Sequence, residues 1–187
     1  IAYYNGNSWS VMSADLTWIS GIWGSSGIDV YAVGVQGHCG AKSHYNGVNW
    51  STTPTEETYI AYSGIWGSAA SDIWVTGTAY NMGSGYYISF MEHYNGTSWS
   101  QSGFYYNKHL YGVWGSSASD VFIVGDSGLI THYNGSNWSS MTSGTANTLN
   151  GIWGSSGSDV FAVGVNGTIL HYNSSNWSSM TSGTANT

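Results

Sequence analysis

The chain has 187 residues, a length typical of one domain, and 41% of them are hydrophobic, enough for a packed core, while only 6% are charged. Its cations are Lys42 and Lys108 alone against nine acids, a formal charge of −7, so it lacks the basic face that nucleic acids or an anionic membrane surface require. No apolar run approaches the roughly 20 residues that span a bilayer, and the single Cys39 excludes an internal disulfide and a cysteine-based zinc site.

In chain order, residues 1–20 carry a half-unit, Tyr3-Tyr4-Asn5-Gly6 leading to Trp9, and four full units follow at 21–63, 64–111, 112–150 and 151–187. Each full unit opens on Gly-Ile-Trp-Gly or Gly-Val-Trp-Gly, with its tryptophan at Trp23, Trp66, Trp114 or Trp153. An aspartate then heads a β-branched and aromatic run ending in glycine: Asp29 to Gly34, Asp72 to Gly77, Asp120 to Gly125 and Asp159 to Gly164. A His-Tyr-Asn element closes each unit, running from His44, His93, His132 and His171 to Trp50, Trp99, Trp138 and Trp177. The last two units are near copies, and residues 137–148 and 176–187 are identical.

The period within a unit is two. Val160 to Gly164 and Thr168 to Tyr172 read as strands, and Asn166-Gly167 between them is a hairpin signal. Four short strands in about 40 residues, repeated in tandem, spell a β-propeller blade. The fold class expected is therefore all-β: a propeller of four-stranded antiparallel blades, four complete, with an N-terminal half-blade. A parallel β-solenoid fits the hairpins less well. Because both ends fall inside the pattern and would leave strand edges unpaired, either the half-blade packs as a lid, or residues beyond this chain complete the ring, or several chains do so by self-association; a fragment of a larger array of five or more blades is the expectation.

The recurring Asp29, Asp72, Asp120 and Asp159 and the recurring His44, His93, His132 and His171 invite a metal reading. Equivalent residues of successive blades point to different places, however, so the expectation is one hydrogen-bond relay per blade, with Ser and Trp donors, and no metal or cofactor. The tryptophans Trp23, Trp66, Trp114 and Trp153 are expected in the core or between blades.

The Tyr94-Asn95-Gly96-Thr97-Ser98-Trp99 element resembles a shortened Asp-box hairpin of the neuraminidase-type repeat, with Asn in place of Asp and one spacer residue fewer. The whole unit, from Trp-Gly-Ser-Ser through Asp-Val-Phe to His-Tyr-Asn-Gly, resembles propeller repeats of secreted or surface bacterial proteins. That resemblance implies a propeller, a turn-stabilising role for the motif, and an extracellular or cell-surface location. Sialidase chemistry, which the Asp-box brings to mind, relies on an arginine cluster for its carboxylate substrate, and this chain has no arginine.

Other catalytic sets are equally thin. A glycosidase needs two opposed carboxylates; outside the repeated aspartates there are Asp15, Glu56, Glu57, Glu92 and Asp126. Glu56-Glu57 read as a solvated loop, and Gly125-Asp126-Ser127-Gly128 aligns with the plain hairpin at Gly164 to Gly167. Cys39 beside His38 or His44 lacks an orienting partner. No enzyme is expected.

Function should then lie where the blades differ. Blade one departs at Gln36 to Lys42 and in a loop from Thr53 to Tyr59; blade two carries an inserted loop from Tyr80 to Tyr87 and an exit loop from Phe104 to His109. The candidate ligand-binding residues are Tyr80, Asn81, Tyr86, Tyr87, Tyr105, Tyr106, Asn107 and His109. Aromatic rings stack on the apolar faces of sugars and amides bind their hydroxyls; the same groups anchor protein contacts. The expected function is a non-enzymatic surface propeller binding a glycan or a partner protein through its loop faces. A structural subunit of a larger assembly or filament is the alternative, and a fragment of a glycoside hydrolase the weakest reading.

Overall fold

A computed structural model describes residues 1–83 and 85–183, without the side chains of 56–58, 104 and 106. The protein is a β-propeller of four-stranded antiparallel blades preceded by a half-blade. The half-blade is the hairpin β1 (Ala2–Tyr4) and β2 (Trp9–Val11). Blade one comprises β3 (Trp18–Ser26), β4 (Asp29–Gln36), β5 (Cys39–Tyr45) and β6 (Trp50–Thr58). Blade two comprises β7 (Ile60–Ala69), β8 (Asp72–Asn81), β9 (Tyr86–Tyr94) and β10 (Trp99–Tyr106). Blade three holds β11 (Leu110–Ser117), β12 (Asp120–Gly125), β13 (Ile130–Tyr133) and β14 (Trp138–Met141). Blade four holds β15 (Leu149–Ser156), β16 (Asp159–Gly164), β17 (Thr168–Tyr172) and β18 (Trp177–Met180).

Each sheet begins slightly ahead of its Gly-Ile-Trp-Gly or Gly-Val-Trp-Gly motif, because the residue two positions before the motif already pairs with the glycine that closes the Asp-headed run: Ile19 with Gly34, Tyr62 with Gly77, Leu110 with Gly125, Leu149 with Gly164. Irregular register flanks the motif on both sides in every blade. Such bulges re-aim a strand.

The core lies between blades. One buried cluster joins Val33 of blade one to Tyr62, Val75 and Phe90 of blade two. A second joins Trp74 and Met91 to Leu110, Val113, Val121 and Ile123 of blade three. The third joins Phe122, Val124 and Ile130 to Leu149, Val160, Ala162, Leu170 and Trp177 of blade four. A four-stranded sheet has two faces and cannot bury either alone, so each blade depends on its neighbour.

The first strands set the spacing. A methyl group built on Gly67 would lie 2.8 Å from the ring of Trp23; on Gly115, 2.6 Å from Trp66; on Gly154, 2.6 Å from Trp114. Each first-strand tryptophan therefore lies over the second motif glycine of the following blade. The first motif glycine makes room for the next first strand: a methyl on Gly64 would meet the Tyr111 carbonyl at 3.0 Å, and one on Gly112 the Ile152 amide at 3.2 Å.

Several segments expected as loops are strands. The Tyr80 to Tyr87 insertion extends both arms of a hairpin, pairing Ala79 with Ile88, Tyr80 with Tyr87 and Asn81 with Tyr86. Strand β10 runs on to Tyr106, and β6 carries the 53–58 stretch, including Glu56 and Glu57; the side chains of those two glutamates lie outside the described residues. Equal insertions on paired strands prolong the ladder, which satisfies the backbone donors and acceptors that a loop would leave to water. Of the Gln36 to Lys42 departure, only Gly37 and His38 form the turn.

Lys42 faces the junction. Its ammonium pairs with the Glu92 carboxylate of blade two, lies 4.4 Å from the Trp99 ring centroid and 5.0 Å from that of Tyr62. The Tyr62 hydroxyl donates to the same carboxylate at 3.2 Å, and burial first, then the Glu92 charge, pushes its phenol well above the usual range. By register, Lys42 stands where the later blades carry Met91, Ile130 and Ile169, and Glu92 where the others carry Ser43, Thr131 and Leu170.

Two outcomes follow. Gly115→Ala, which forces a methyl into the Trp66 ring, should lower stability by about 1–3 kcal/mol in denaturant titration, whereas Gly27→Ala, which meets nothing within 4 Å, should be close to neutral. Lys42→Met alone leaves Glu92 facing Tyr62 without its cation and should cost roughly 1–3 kcal/mol, between exposed and fully buried pairs. The double change Lys42→Met with Glu92→Leu uses side chains that other blades carry at those positions and should recover most of that loss in the same titration.

Candidate binding face

Antiparallel alternation divides the turns of the propeller between two ends. One end carries the turns joining first to second and third to fourth strands; the other carries the second-to-third turns and the connections between blades.

The first end is repetitive. His44 Nε2 donates to Asp29 Oδ1 at 2.7 Å, His93 to Asp72 at 2.6 Å, His132 to Asp120 at 2.6 Å and His171 to Asp159 at 2.7 Å. The other carboxylate oxygen accepts from Ser25, Ser68, Ser116 or Ser155. Each imidazole also lies 4.1–4.5 Å, centroid to centroid, from the aromatic ring directly opposite: Tyr31, Trp74, Phe122 or Phe161. The carboxylate stands in the middle of each relay, with the serine on it and not on the imidazole, so the histidine does not activate the hydroxyl as a nucleophile. In place of the expected tryptophan donors, Trp50, Trp74 and Trp177 have buried indole nitrogens with no hydrogen-bond partner in the structure. Burial, and then Asp29, pushes the Tyr31 phenol up to about 12. Hydrogen bonds from Ser155 and His171 hold the Asp159 carboxyl below its ordinary range.

The Tyr-Asn-Gly turns at this end work by one device. The side-chain oxygens of Asn5, Asn46, Asn95, Asn134 and Asn173 each accept two backbone N–H groups two and three residues on, at 2.9–3.1 Å. Gly6, Gly47, Gly96 and Gly135 follow with positive φ, where Ser174 stands in the last copy.

The second end is where the blades differ. Tyr80 and Tyr87 face each other across the extended hairpin with ring centroids 5.0 Å apart, and Tyr87 lies 4.9 Å from His109, which lies 6.0 Å from Tyr111. The ladder rests on Asp126. One carboxylate oxygen accepts from the His109 backbone N–H and from its Nδ1, both at 2.8 Å; the other accepts from the hydroxyls of Tyr111 and Thr148 at 3.3 Å. The carboxylate thus ties the exit from blade two to the first strand of blade three and to the start of blade four. A carboxylate only accepts, so His109 Nδ1 carries a proton and donates to it. Burial alone would raise the Asp126 pKa, but the hydrogen bonds from His109, its charge and Thr148 outweigh that and hold it below the usual carboxylate range. The Tyr111 phenol is pushed up, by burial first and then by Asp126.

The eight candidate ligand residues divide accordingly. Tyr80, Tyr87 and His109 come together, with both tyrosine rings exposed. Asn81 and Tyr86 project from the opposite face of the hairpin, since neighbours on a strand alternate; Asn81 Oδ1 accepts from Gly83 N at 3.0 Å within its own turn. Asn107, at φ 53°, donates its backbone N–H to Tyr87 at 2.9 Å. Tyr105 packs against the core between blades two and three, away from the ladder. The Tyr106 side chain lies outside the described residues. Tyr111, Asp126 and Thr148 were missed in the sequence as site residues; the signal available was Asp126 itself, an acid where the equivalent hairpin has Val165.

Farther along the same end, a polar pocket of about 340 Å³ is lined by residues including Ser143, Asn147, Asn166, Thr168 and Trp177. Asn147 and Asn166 are joined across it at 3.3 Å, and Asn147 Nδ2 donates to Thr168 at 2.8 Å. Cys39 opens β5 while His44, near its end, is held by Asp29, so the two do not meet. Among the described residues no three His, Cys, Asp or Glu side chains gather as a metal site. No described helix is long and apolar enough to cross a membrane.

Among solved structures, the chain is similar to YCF48 from Cyanidioschyzon merolae, with a TM-score of 0.58 and 14% sequence identity. The chain shares that fold. The match covers 91% of this chain and 57% of the other, so the chain spans a little over half the length of that structure. No family model matches the sequence, and no curated protein matches it.

The Asp126 anchor has a measurable pH signature. Because its folded pKa lies below the ordinary value, its contribution to stability is fully present above the unfolded value of about 3.9 and is lost as pH falls through the folded value. Asp126→Asn should therefore lower the melting temperature at neutral pH, with the difference from wild type shrinking on acidification below about pH 4.

Proposed function

We propose that the protein is a non-enzymatic binding propeller that takes a glycan on the Tyr80–Tyr87–His109 ladder, and that it acts outside the cell or at the cell surface. The observation that carries this reading is the ladder itself: two exposed phenol rings beside an imidazole that a carboxylate holds in place together with two other side chains, Tyr111 and Thr148. Rings of this kind stack on the C–H faces of a pyranose, while the phenol hydroxyls and His109 Nε2 are donors and acceptors for its hydroxyls. Ordering before binding lowers the entropy cost of capture. The scarcity of cations favours a neutral sugar over a carboxylated or sulfated one. A non-enzymatic role is supported by the described carboxylates: Asp15, Glu92, Asp126 and the four repeated aspartates each already accept hydrogen bonds within the protein. A location outside the cell, and kinship with Asp-box repeats, find support in the Asn-capped turns, where Asn takes the place of the Asp-box aspartate.

A protein ligand is the second reading, favoured by Met82, an exposed apolar side chain at the tip of the same hairpin.

A neutral-glycan array followed by calorimetric titration of any hit tests the proposal. Binding should fall at least tenfold in Tyr87→Ala with the fold intact by circular dichroism, and be retained in Tyr86→Ala on the opposite face. A blank array, or equal binding by the two variants, overturns it; capture of a protein that depends on Met82 would favour the second reading.

A further inference from the structure

The polar pocket at the second end opens on the receiving side of blade four, the face that a blade turns to the one before it. Its walls come from two places: Ser143 and Asn147 on the connection leaving blade three, and Asn166, Thr168, Trp177 and Ser179 on blade four. Leu170, also in the wall, belongs to the cluster shared with Phe122 and Ile130 of blade three. Both walls are internal to the junction between blades three and four.

Two departures from the preceding junction create the site. Trp138 and Trp177 hold equivalent places, edge-on to Trp74 at 5.3 Å and to Phe122 at 6.4 Å between ring centroids. Trp138 Nε1 donates to Ser102 Oγ at 3.1 Å. Ser102 is the extra residue of a bulge in β10, and β14 pairs with β13 without one. No such serine reaches Trp177, which is 8% exposed, lines the pocket, and has an indole N–H with no partner. Trp50 and Trp74 share that lack but do not line the pocket.

The second departure is the rim. Asn147, Asn166 and Thr168 stand where the preceding junction has Lys108, Ser127 and Leu129. Asn166 Nδ2 donates to Asn147 Oδ1, Asn147 Nδ2 to Thr168 Oγ1, and Thr168 Oγ1 to the Val165 carbonyl at 2.7 Å. One chain of bonds thus fixes the connection to the β16–β17 turn. Each amide has two N–H donors and an oxygen with two acceptor sites, so the Asn166 oxygen and one N–H of each amide are left for a ligand. No charged side chain stands in the lining.

We propose that this pocket is a second binding site, separate from the Tyr80–Tyr87–His109 ladder, and that it takes one neutral sugar residue. Its volume of about 340 Å³ falls within the range of small-molecule sites, roughly 300–1,000 Å³. Trp177 and Leu170 offer apolar surface to the C–H groups of a sugar ring, while fixed amides and the Ser179 hydroxyl suit its hydroxyl edge. The unpaired indole N–H calls for an acceptor oxygen, the part that Ser102 plays one junction earlier. A sugar hydroxyl supplies it without bringing in a charge; a carboxylate or sulfate would lose its water and find no cation. The site stands whether or not the ladder binds.

Titration of the isotope-labelled chain with the methyl glycosides of glucose, galactose and mannose, read by NMR at the indole N–H resonances, tests this. At least one should shift the Trp177 resonance, identified by its loss in Trp177→Phe, and leave that of Trp138 in place. Ser179→Tyr, at an exposed position in the wall, fills the pocket and should weaken binding at least tenfold; an unmoved Trp138 resonance shows that variant to be folded. The uronic acid of the sugar that binds should bind at least tenfold more weakly. Tyr87→Ala, which removes a ring of the ladder, should leave the titration unchanged, so the two sites are judged separately. No shift with any of the three sugars up to tens of millimolar, a shift that survives Ser179→Tyr or is lost in Tyr87→Ala, or equal binding of the uronic acid overturns the proposal.

Discussion

Everything in this protein depends on a tryptophan lying over a glycine. A blade of four short strands has no interior, and its apolar side chains become a core only when the next blade is brought within van der Waals reach. The Trp66 ring sits where a methyl on Gly115 would lie only 2.6 Å away; any side chain there would push the blades apart and empty the cluster containing Trp74, Leu110 and Ile123. The motif is therefore a statement of spacing, with two glycines that let one strand approach the next and a tryptophan that fills the gap so created. Bulges on either side of the motif adjust the strand so that these three residues, and not their neighbours, meet the adjacent blade.

With spacing settled by the first strands, the two ends of the propeller are free to differ. One end is fixed four times over by a carboxylate between serine and histidine, and by an asparagine that caps its own turn. These devices use local hydrogen bonds and impose nothing on the far end. There the hairpins can lengthen, as in blade two, without disturbing the core, because added residues simply extend an existing ladder. Asp126 shows how such a lengthened region is made rigid: an acid in an ordinary turn gathers donors from three segments, and burial strengthens those bonds by excluding water.

The repeat, the strand count and the hairpin at Asn166-Gly167 were legible because they rest on local chemistry: period-two alternation, turn residues with positive φ, and recurrence. The asparagine turns and the pairing of each repeated Asp with its His follow from the same recurrence. What was not legible depended on partners distant in sequence. Lys42 reads as part of a divergent loop until the register places it in a column of Met and Ile facing Glu92. Tyr80 and Tyr87 read as a loop because sequence shows an insertion but not that both arms grew equally. Tyr105 reads like the rest of an aromatic exit segment, yet it packs against the core between blades two and three. Trp74 seems an outlier among tryptophans until it is seen to occupy the aromatic column of Tyr31, Phe122 and Phe161.

The shortage of charge now has a structural reason. Junctions built from Trp, Gly, Ile and Tyr alone carry no charge that would reject the wrong partner. That uniformity lets near-identical units be added in tandem, as blades three and four show, but it does not specify which blade follows which. In most of the molecule, covalent order does so. Only the junction between blades one and two carries its own label, the Lys42–Glu92 pair with Tyr62 and Trp99 around it. A cation entering any other receiving side would meet Ser43, Thr131 or Leu170 and lose its water without gaining a counter-charge, a desolvation cost of several kcal/mol for a buried ion. The pair therefore excludes blade one from every receiving side except that of blade two.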